Sequence, residues 1–393
     1  MDVLQKCAEF SQVREMRASG VYPYYRTISS AQDPVVSIDG HKIIMLGSNN
    51  YLGLTNHPEV KAAAAAALAK YGTGCAGSRL LNGTLDVHVE LEERLAAFMK
   101  REATISFSTG YQVNLGVLSC LLGRHDLVFL DSLDHASILD GARLSFGKIL
   151  KFKHNDMNDL EGKLSRAPED KGKLVVVDGV FSMEGDLAKL PEIVELAGRF
   201  GARVMVDDAH GIGVFGEHGR GTAEHFDLEH DVDLVMGTFS KSLAAIGGFI
   251  AGDEVVIDYI RHNSRAQIFS AAPPPASAAA VIKAIEIIER EPERRKRLWE
   301  STAYMKRELE SLGFDTGESE SPVIPMLVGD DFAAFSMVLR LQEEGVFANP
   351  VITPAVPPGR AMLRTSYMAT HTREHLDRAL AALKKVGREF NII

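Results

Sequence analysis

Arg203-Val-Met-Val-Asp207-Asp208-Ala-His210-Gly211 is the stretch that decides the fold of this chain. Three apolar residues run straight into two carboxylates and a histidine. An apolar run ending in acids predicts a strand buried on both faces, with its carboxyl end opening on a ligand site. Asp233-Leu-Val-Met-Gly237-Thr238-Phe-Ser240-Lys241-Ser242 follows the same plan, with hydroxyls and a lysine at the strand end. Short apolar runs at 103–107, 127–130, 174–177, 203–206, 234–236 and 247–250 are each bounded by Gly, Asp or Ser. Helical patterns lie among and before them at 59–71, 86–100, 112–122 and 191–200. Strands alternating with helices predict an α/β fold around a large, mostly parallel sheet.

Outward from that core, residues 1–20 predict an amphipathic helix packed on the rest. The Ala-rich run 62–69, between Lys61 and Lys70, predicts a buried helix. Past Phe269-Ser-Ala-Ala-Pro-Pro-Pro275 the pattern changes. A helix is expected over 277–289 with Ser277 as its N-cap, and a charged helix over 294–312. A strand over 323–328, a Pro-rich loop over 349–359, a strand over 361–366 and a helix over 374–390 follow. This divides the chain into an N-terminal segment 1–47, a large domain 48–285 and a smaller α+β domain 286–393.

Composition narrows the function. The 393 residues are 46% hydrophobic and 24% charged, values of a globular chain rather than a disordered one. Lys and Arg number 43 against 53 Asp and Glu, a net charge of −10, which argues against nucleic-acid binding. Cys7, Cys75 and Cys120 are too few and too scattered for a disulfide framework or a cysteine zinc site, so a cytoplasmic setting is expected. The N-terminus lacks the apolar stretch of a signal peptide. No run reaches the roughly 18 to 20 apolar residues of a membrane span. Whether the protein touches a membrane surface stays open.

Several motifs are weighed and set aside. Gly72, Gly74, Gly77 and Gly211, Gly213, Gly216 both fit G-x-G-x-x-G. The first follows a helix rather than a strand, and the second leads into a poor helix start, so both are expected to be glycine loops rather than dinucleotide sites. There is no H-E-x-x-H and no Cys/His pair spacing, so no metal is expected. A nicotinamide oxidoreductase on the second glycine loop remains a rival reading.

What converges on strand ends is a cofactor set. An Asp on one strand and a Lys on a later one suit pyridoxal phosphate, which needs a Schiff-base lysine, a carboxylate for its ring nitrogen and donors for its phosphate. Lys241 has apolar neighbours, and burial lowers a lysine pKa and frees its amine. Thr238 and Ser240 can donate to phosphate oxygens. Phe107-Ser-Thr-Gly110-Tyr111 opens a helix and offers backbone N–H groups for an anion. His135 offers a ring to stack on a planar cofactor. Asn50 and Arg364 are candidates for a substrate carboxylate.

These residues resemble the α-oxoamine synthases, a branch of the fold-type I pyridoxal phosphate enzymes. The likeness runs from about Gly47 to Thr372. It rests on Ser48-Asn-Asn-Tyr-Leu-Gly-Leu54, Gly77-Ser-Arg-Leu-Leu-Asn-Gly-Thr84, Phe107-Ser-Thr-Gly-Tyr111, Asp134-His-Ala-Ser137, Val180-Phe-Ser-Met183, Val206-Asp-Asp-Ala-His210 and Gly237-Thr-Phe-Ser-Lys-Ser242. The resemblance implies a decarboxylative condensation of an amino acid with an acyl-CoA. The motifs are most similar to members acting on L-serine and a long-chain acyl-CoA; sister enzymes take glycine or L-alanine. By that resemblance Lys241 carries the cofactor and moves the Cα proton, and Asp207 pairs with the ring nitrogen. His210 and Ser182 sit near the ring oxygen, and His135 stacks on the ring. Gly110, Tyr111, Thr238 and Ser240 hold the phosphate, with Ser270 arriving from the other subunit of a homodimer. Asn50 and Arg364 bind the amino acid carboxylate. The loop 349–359 departs from some relatives in having no arginine before Arg360.

Overall fold

The computed structural model describes residues 2–393. Its centre is a seven-stranded sheet in the order 103–107, 248–252, 234–238, 203–207, 173–178, 127–131, 148–152. The last five of these strands are mutually parallel. Gly248–Gly252 runs against both its neighbours, which makes the sheet mixed. Leu127–Asp131, Leu234–Thr238 and Gly248–Gly252 are buried at every position, as their unbroken apolar runs require. Val175, Val177, Val204 and Val206 enter one core layer, while Val128, Leu130, Val176 and Met205 enter the layer on the other face. The alternation is the strand period of two.

Strand boundaries differ from expectation at the polar ends. Asp131, Asp178, Asp207 and Thr238 are still paired in the sheet, so each strand carries its functional residue as its last rung. The strand Lys148–Phe152 escaped the apolar criterion because it is the sheet edge, where lysines discourage further pairing.

Two small sheets complete the structure. Val35–Ile38 and His41–Met45 form a hairpin joined in parallel by Val346–Phe347. Val323–Gly329, Ala361–Ser366 and Asn349–Val351 form an antiparallel sheet. Helices Asp331–Glu343 and Arg373–Glu389 pack together beside it.

Three local expectations fail. Residues 2–20 form two short helices, Gln5–Glu9 and Gln12–Ala18, with no buried residue. The Ala-rich helix Pro58–Tyr71 buries only Val60 and Ala67 against Pro275–Arg290, and most of its methyl groups stay exposed. Alanine fits a close helix crossing, but period 3.6 leaves the opposite face outside. Helix Pro275–Arg290 starts two residues before Ser277. Pro275 takes its first position, where a missing N–H costs nothing, and Pro274 precedes it. The second glycine motif is a loop, with Gly213 and Gly216 at φ +81° and +82° and no helix beginning there.

Candidate active site

The carboxyl ends of the parallel strands meet a cavity of about 370 Å³. Asp178, Asp207, Met236 and Thr238 reach it from strands, and His135, Ser182, His210, Ser240 and Lys241 from the turns after them. The helix Gly110–Leu121 points its N-terminus into the same space through Thr109, Gly110 and Tyr111. A second cavity of about 570 Å³ adjoins it and shares His135, Ser182, His210 and Lys241. Its other walls are residues 23–26, Asn49, Met183, Phe347, Asn349–Val351 and Arg364.

Lys241 follows the buried strand Leu234–Thr238 and is itself half-buried. Burial brings its ammonium pKa down from 10.5 to about 8. Asp207 and Asp178 pull the other way, and Arg364 adds to the depression. The group is still mainly an ammonium at neutrality, but far more of it is free amine than in an ordinary lysine.

Asp207 is 4% exposed and held from two directions. Its Oδ1 accepts from the Ala209 N–H at 3.1 Å and its Oδ2 from Asn114 Nδ2 at 2.6 Å. Both cavity histidines are held neutral. Burial depresses the His135 pKa, helped by Lys241 and opposed by Asp207. Burial, then Lys241, Arg364 and His135, hold His210 well below its ordinary value. Each ring is also oriented. His135 caps the helix Ala136–Leu144, its Nδ1 accepting from the Ser137 N–H, which leaves the ring proton on Nε2. The Tyr51 hydroxyl, pushed up to about 12 by burial, keeps its proton and donates to His210 Nδ1 at 2.6 Å.

At the other end of the cavity, Thr238 Oγ1 and Ser240 Oγ lie 2.9 Å apart beside the first turn of Gly110–Leu121. The first N–H groups of a helix lack internal partners and favour an anion. Gly110 is required here: a Cβ on it would stand 2.7 Å from Thr238 Oγ1 and fill the seat.

Not every residue singled out in the sequence reaches the cavity in the way its type suggests. The Tyr111 ring meets His135 edge-on, but its hydroxyl is engaged by Asp140. Ser270 Oγ accepts from Gln112 Nε2 of its own chain at 3.1 Å and lines neither cavity. Asn50 is turned away: its Oδ1 accepts from Leu54 N and Thr55 N and closes a turn. Its neighbour Asn49 faces the second cavity, where Asn49 Oδ1 accepts from Arg364 Nη2 at 3.1 Å. Arg364 Nε donates to the Ser182 carbonyl at 2.6 Å. Both partners are neutral, so the guanidinium charge stays available for a carboxylate. Tyr51, Asn114 and Ser137 carry no sequence signal of their own, whereas Asp178 is marked as a polar strand end. Nothing marks a helical Asn or a motif Tyr as polar furniture before the fold is known.

Behind the His135 turn, His154 bridges Asp131 at 3.0 Å and Asp186 at 2.8 Å. Although burial alone would lower it, bonding to the two carboxylates raises its pKa to about 10. Asp131 Oδ1 also accepts from Leu133 N, and Asp186 belongs to the loop that carries Ser182. The clamp thus ties the turns that carry His135 and Ser182 to the sheet.

The donor set fits pyridoxal phosphate: a lysine of lowered pKa, a fixed carboxylate, an anion seat with two hydroxyls, and the His135 ring on the same cavity. The cradle that a Cβ at Gly110 would fill is an independent sign of a bound anion.

Comparison with known proteins agrees. The family model for aminotransferase class I and II matches residues 41–383. A serine palmitoyltransferase of Sphingobacterium spiritivorum is 53% identical over 388 residues, 99% of this chain and 97% of that one. An 8-amino-7-oxononanoate synthase of Thermoanaerobacter pseudethanolicus is 44% identical over 383 residues, 97% of each. Among solved structures, a serine palmitoyltransferase variant from S. paucimobilis with a bound PLP–myriocin aldimine superposes with a TM-score of 0.97 over 100% of both chains, at 37% identity.

Proposed function

The chain belongs to the aminotransferase class I and II family, in its α-oxoamine synthase branch, and from that premise we propose that it condenses L-serine with a long-chain acyl-CoA. With palmitoyl-CoA the products are 3-ketodihydrosphingosine, CoA and carbon dioxide. The carrying observation is identity of 49% to 53% to four serine palmitoyltransferases, against 43% to 46% for four 8-amino-7-oxononanoate synthases.

The enzyme is a pyridoxal phosphate-dependent acyltransferase. When bound, the cofactor supplies an electron sink for the carbanion generated at the amino acid Cα. Lys241 would hold it covalently, Asp207 would keep its ring nitrogen protonated, and Gly110, Tyr111, Thr238 and Ser240 would seat its phosphate. Arg364 and Asn49 would grip the serine carboxylate from the adjoining cavity. Lys241, whose ammonium burial already brings down to about 8, would be the base that takes the Cα proton. His135, with its proton on Nε2, can donate to the thioester or carboxylate oxygen. His210 and Ser182 line both cavities and would border the cofactor's ring oxygen.

We take the working protein to be a cytoplasmic homodimer in which Ser270 of the partner subunit completes the phosphate seat. Among the described residues no helix is long and apolar enough to cross a membrane.

The test is a titration of the purified holoenzyme with L-serine, glycine and L-alanine, followed by visible absorption, and then CoA release with palmitoyl-CoA. A spectral shift and CoA release with serine are expected. Turnover with alanine or glycine but not serine would move the function to a sister synthase. A protein that cannot take up pyridoxal phosphate would overturn the site.

A further inference from the structure

Asn114 lies on the helix Gly110–Leu121, four residues after Gly110 and so on the same face. It is 0% exposed. Its Nδ2 donates to Asp207 Oδ2 at 2.6 Å and to Ser137 Oγ at 2.8 Å. The carboxylate can only accept, which fixes the amide with its nitrogen toward Asp207. Both amide protons are then spent. Ser137 Oγ, already accepting, has its own proton to give, and His135 Nδ1 lies 2.7 Å away. A directed chain therefore runs from one amide group to both a carboxylate and an imidazole that face the cavity.

The packing is built for this reach. Gly141, on the helix that starts after His135, lies against the Asn114 backbone, and a Cβ there would come within 2.6 Å of its carbonyl oxygen. Only glycine lets the two helices approach closely enough for Asn114 to meet Ser137.

We infer that Asn114 is a positioning residue that aims the Asp207 carboxylate and, through Ser137, fixes the orientation and hydrogen bonding of His135. The inference rests on the proposed reading, in which both groups face the cofactor. Asn114 itself touches neither cavity. Its amide spans two helices and a strand, so one side chain sets the ring-nitrogen partner and the stacking ring relative to each other.

The test compares wild-type holoenzyme with Asn114→Leu and Ser137→Ala. Two readouts are used: the rate of cofactor loss on dilution, and the ¹⁵N resonance of His135 Nδ1 in histidine-labelled protein. Loss of a hydrogen bond to a charged group predicts cofactor loss about ten- to a hundredfold faster in Asn114→Leu. Ser137→Ala keeps the Asp207 bond and should release cofactor more slowly than Asn114→Leu. In Ser137→Ala the Nδ1 resonance should move toward that of a weakly bonded acceptor nitrogen, since only the backbone N–H of residue 137, at 3.3 Å, remains on it. In Asn114→Leu the shift should be smaller, since the Ser137 hydroxyl stays but loses its donor. Wild-type cofactor retention in Asn114→Leu, or an unmoved Nδ1 resonance in Ser137→Ala, would overturn the inference. If Asn114→Leu does not fold, the Ser137→Ala resonance still decides the relay. A wild-type protein that does not bind pyridoxal phosphate would instead take down the functional reading, and Nδ1 would still report the relay in the cofactor-free chain.

Discussion

His154 and the pair His135 and His210 sit on opposite sides of the same turns, and their environments push them in opposite directions. Behind the cavity, His154 is clasped by Asp131 and Asp186 and stays charged well above neutral pH. In the cavity, burial and the nearby Lys241 keep His135 and His210 neutral. The back region uses a fixed ion cluster to hold loops in place, where the two carboxylates offset the desolvation of the imidazolium. The front region withholds charge from its imidazoles, so that they can orient and exchange protons, and concentrates cation on Lys241 and Arg364. One residue type serves as a strut in one region and as a reagent in the other.

Lys241→Ala separates the two regions most sharply. Turnover should fall by about three orders of magnitude or more, since both the covalent anchor and the base are lost. The clamp does not involve Lys241, so the midpoint of urea unfolding of the cofactor-free protein should stay at or above wild type, because a desolvated amine has been removed. Residual CoA release within tenfold of wild type would remove Lys241 from the mechanism.

His154→Leu should do the reverse. It leaves buried Asp131 without its cationic partner, at a cost of about 3 kcal/mol, and loosens the turns that carry His135 and Ser182. The pH dependence has a definite sign. The folded pKa is about 10, above the unfolded value near 6.5, so folding takes up a proton. The contribution is complete below about pH 6.5 and fades as pH rises toward 10. The stability gap between wild type and variant, from urea melts, should therefore narrow between pH 7 and pH 10. A gap that widens over that interval would show that His154 is neutral in the fold.

Much of this arrangement is legible in the sequence, because the strands are apolar on both faces and stop at their functional residues. That rule picks out Asp207, Lys241, Thr238 and His210, and the fold brings all four to one cavity. The clamp is not, because Asp131, His154 and Asp186 come from three different loops and strand ends, and only the sheet order brings them together. The same holds for Asn114, whose partners Ser137 and Asp207 lie 23 and 93 residues further along the chain. The exposed Ala-rich helix was misread because a small apolar side chain records close packing on one face and says nothing of the other. Asn49 and Asn50 were unresolvable in sequence, since adjacent identical residues differ only in which way the backbone turns them.

That pair carries the comparison to the mouth of the cavity, where Asn50 closes a turn and Asn49 faces the second cavity. Asn49→Ala should raise KM for the amino acid about tenfold, through loss of a polar contact and of the Arg364 brace, with little change in the unfolding midpoint. Asn50→Ala should cost about 1 to 2 kcal/mol of stability by uncapping Leu54 and Thr55, and leave KM within about twofold of wild type. Exchange of the two effects would place Asn50 at the substrate.

Tyr51→Phe probes the front region most gently. The buried hydroxyl donates to His210 Nδ1, and its removal leaves that nitrogen without a partner, worth about 1 kcal/mol. The ring should then sample both tautomers, because nothing else fixes which nitrogen carries the proton. A drop in kcat of about fivefold is expected, with KM for serine within about twofold of wild type, since Arg364 keeps Asn49 and the Ser182 carbonyl and only the long 3.4 Å contact from the Tyr51 hydroxyl to Asn49 Oδ1 is lost. His154 should titrate as before, because its carboxylate partners are untouched. If Tyr51→Phe shifts the His154 titration as well, the two regions are one coupled network, and the division between strut and reagent fails.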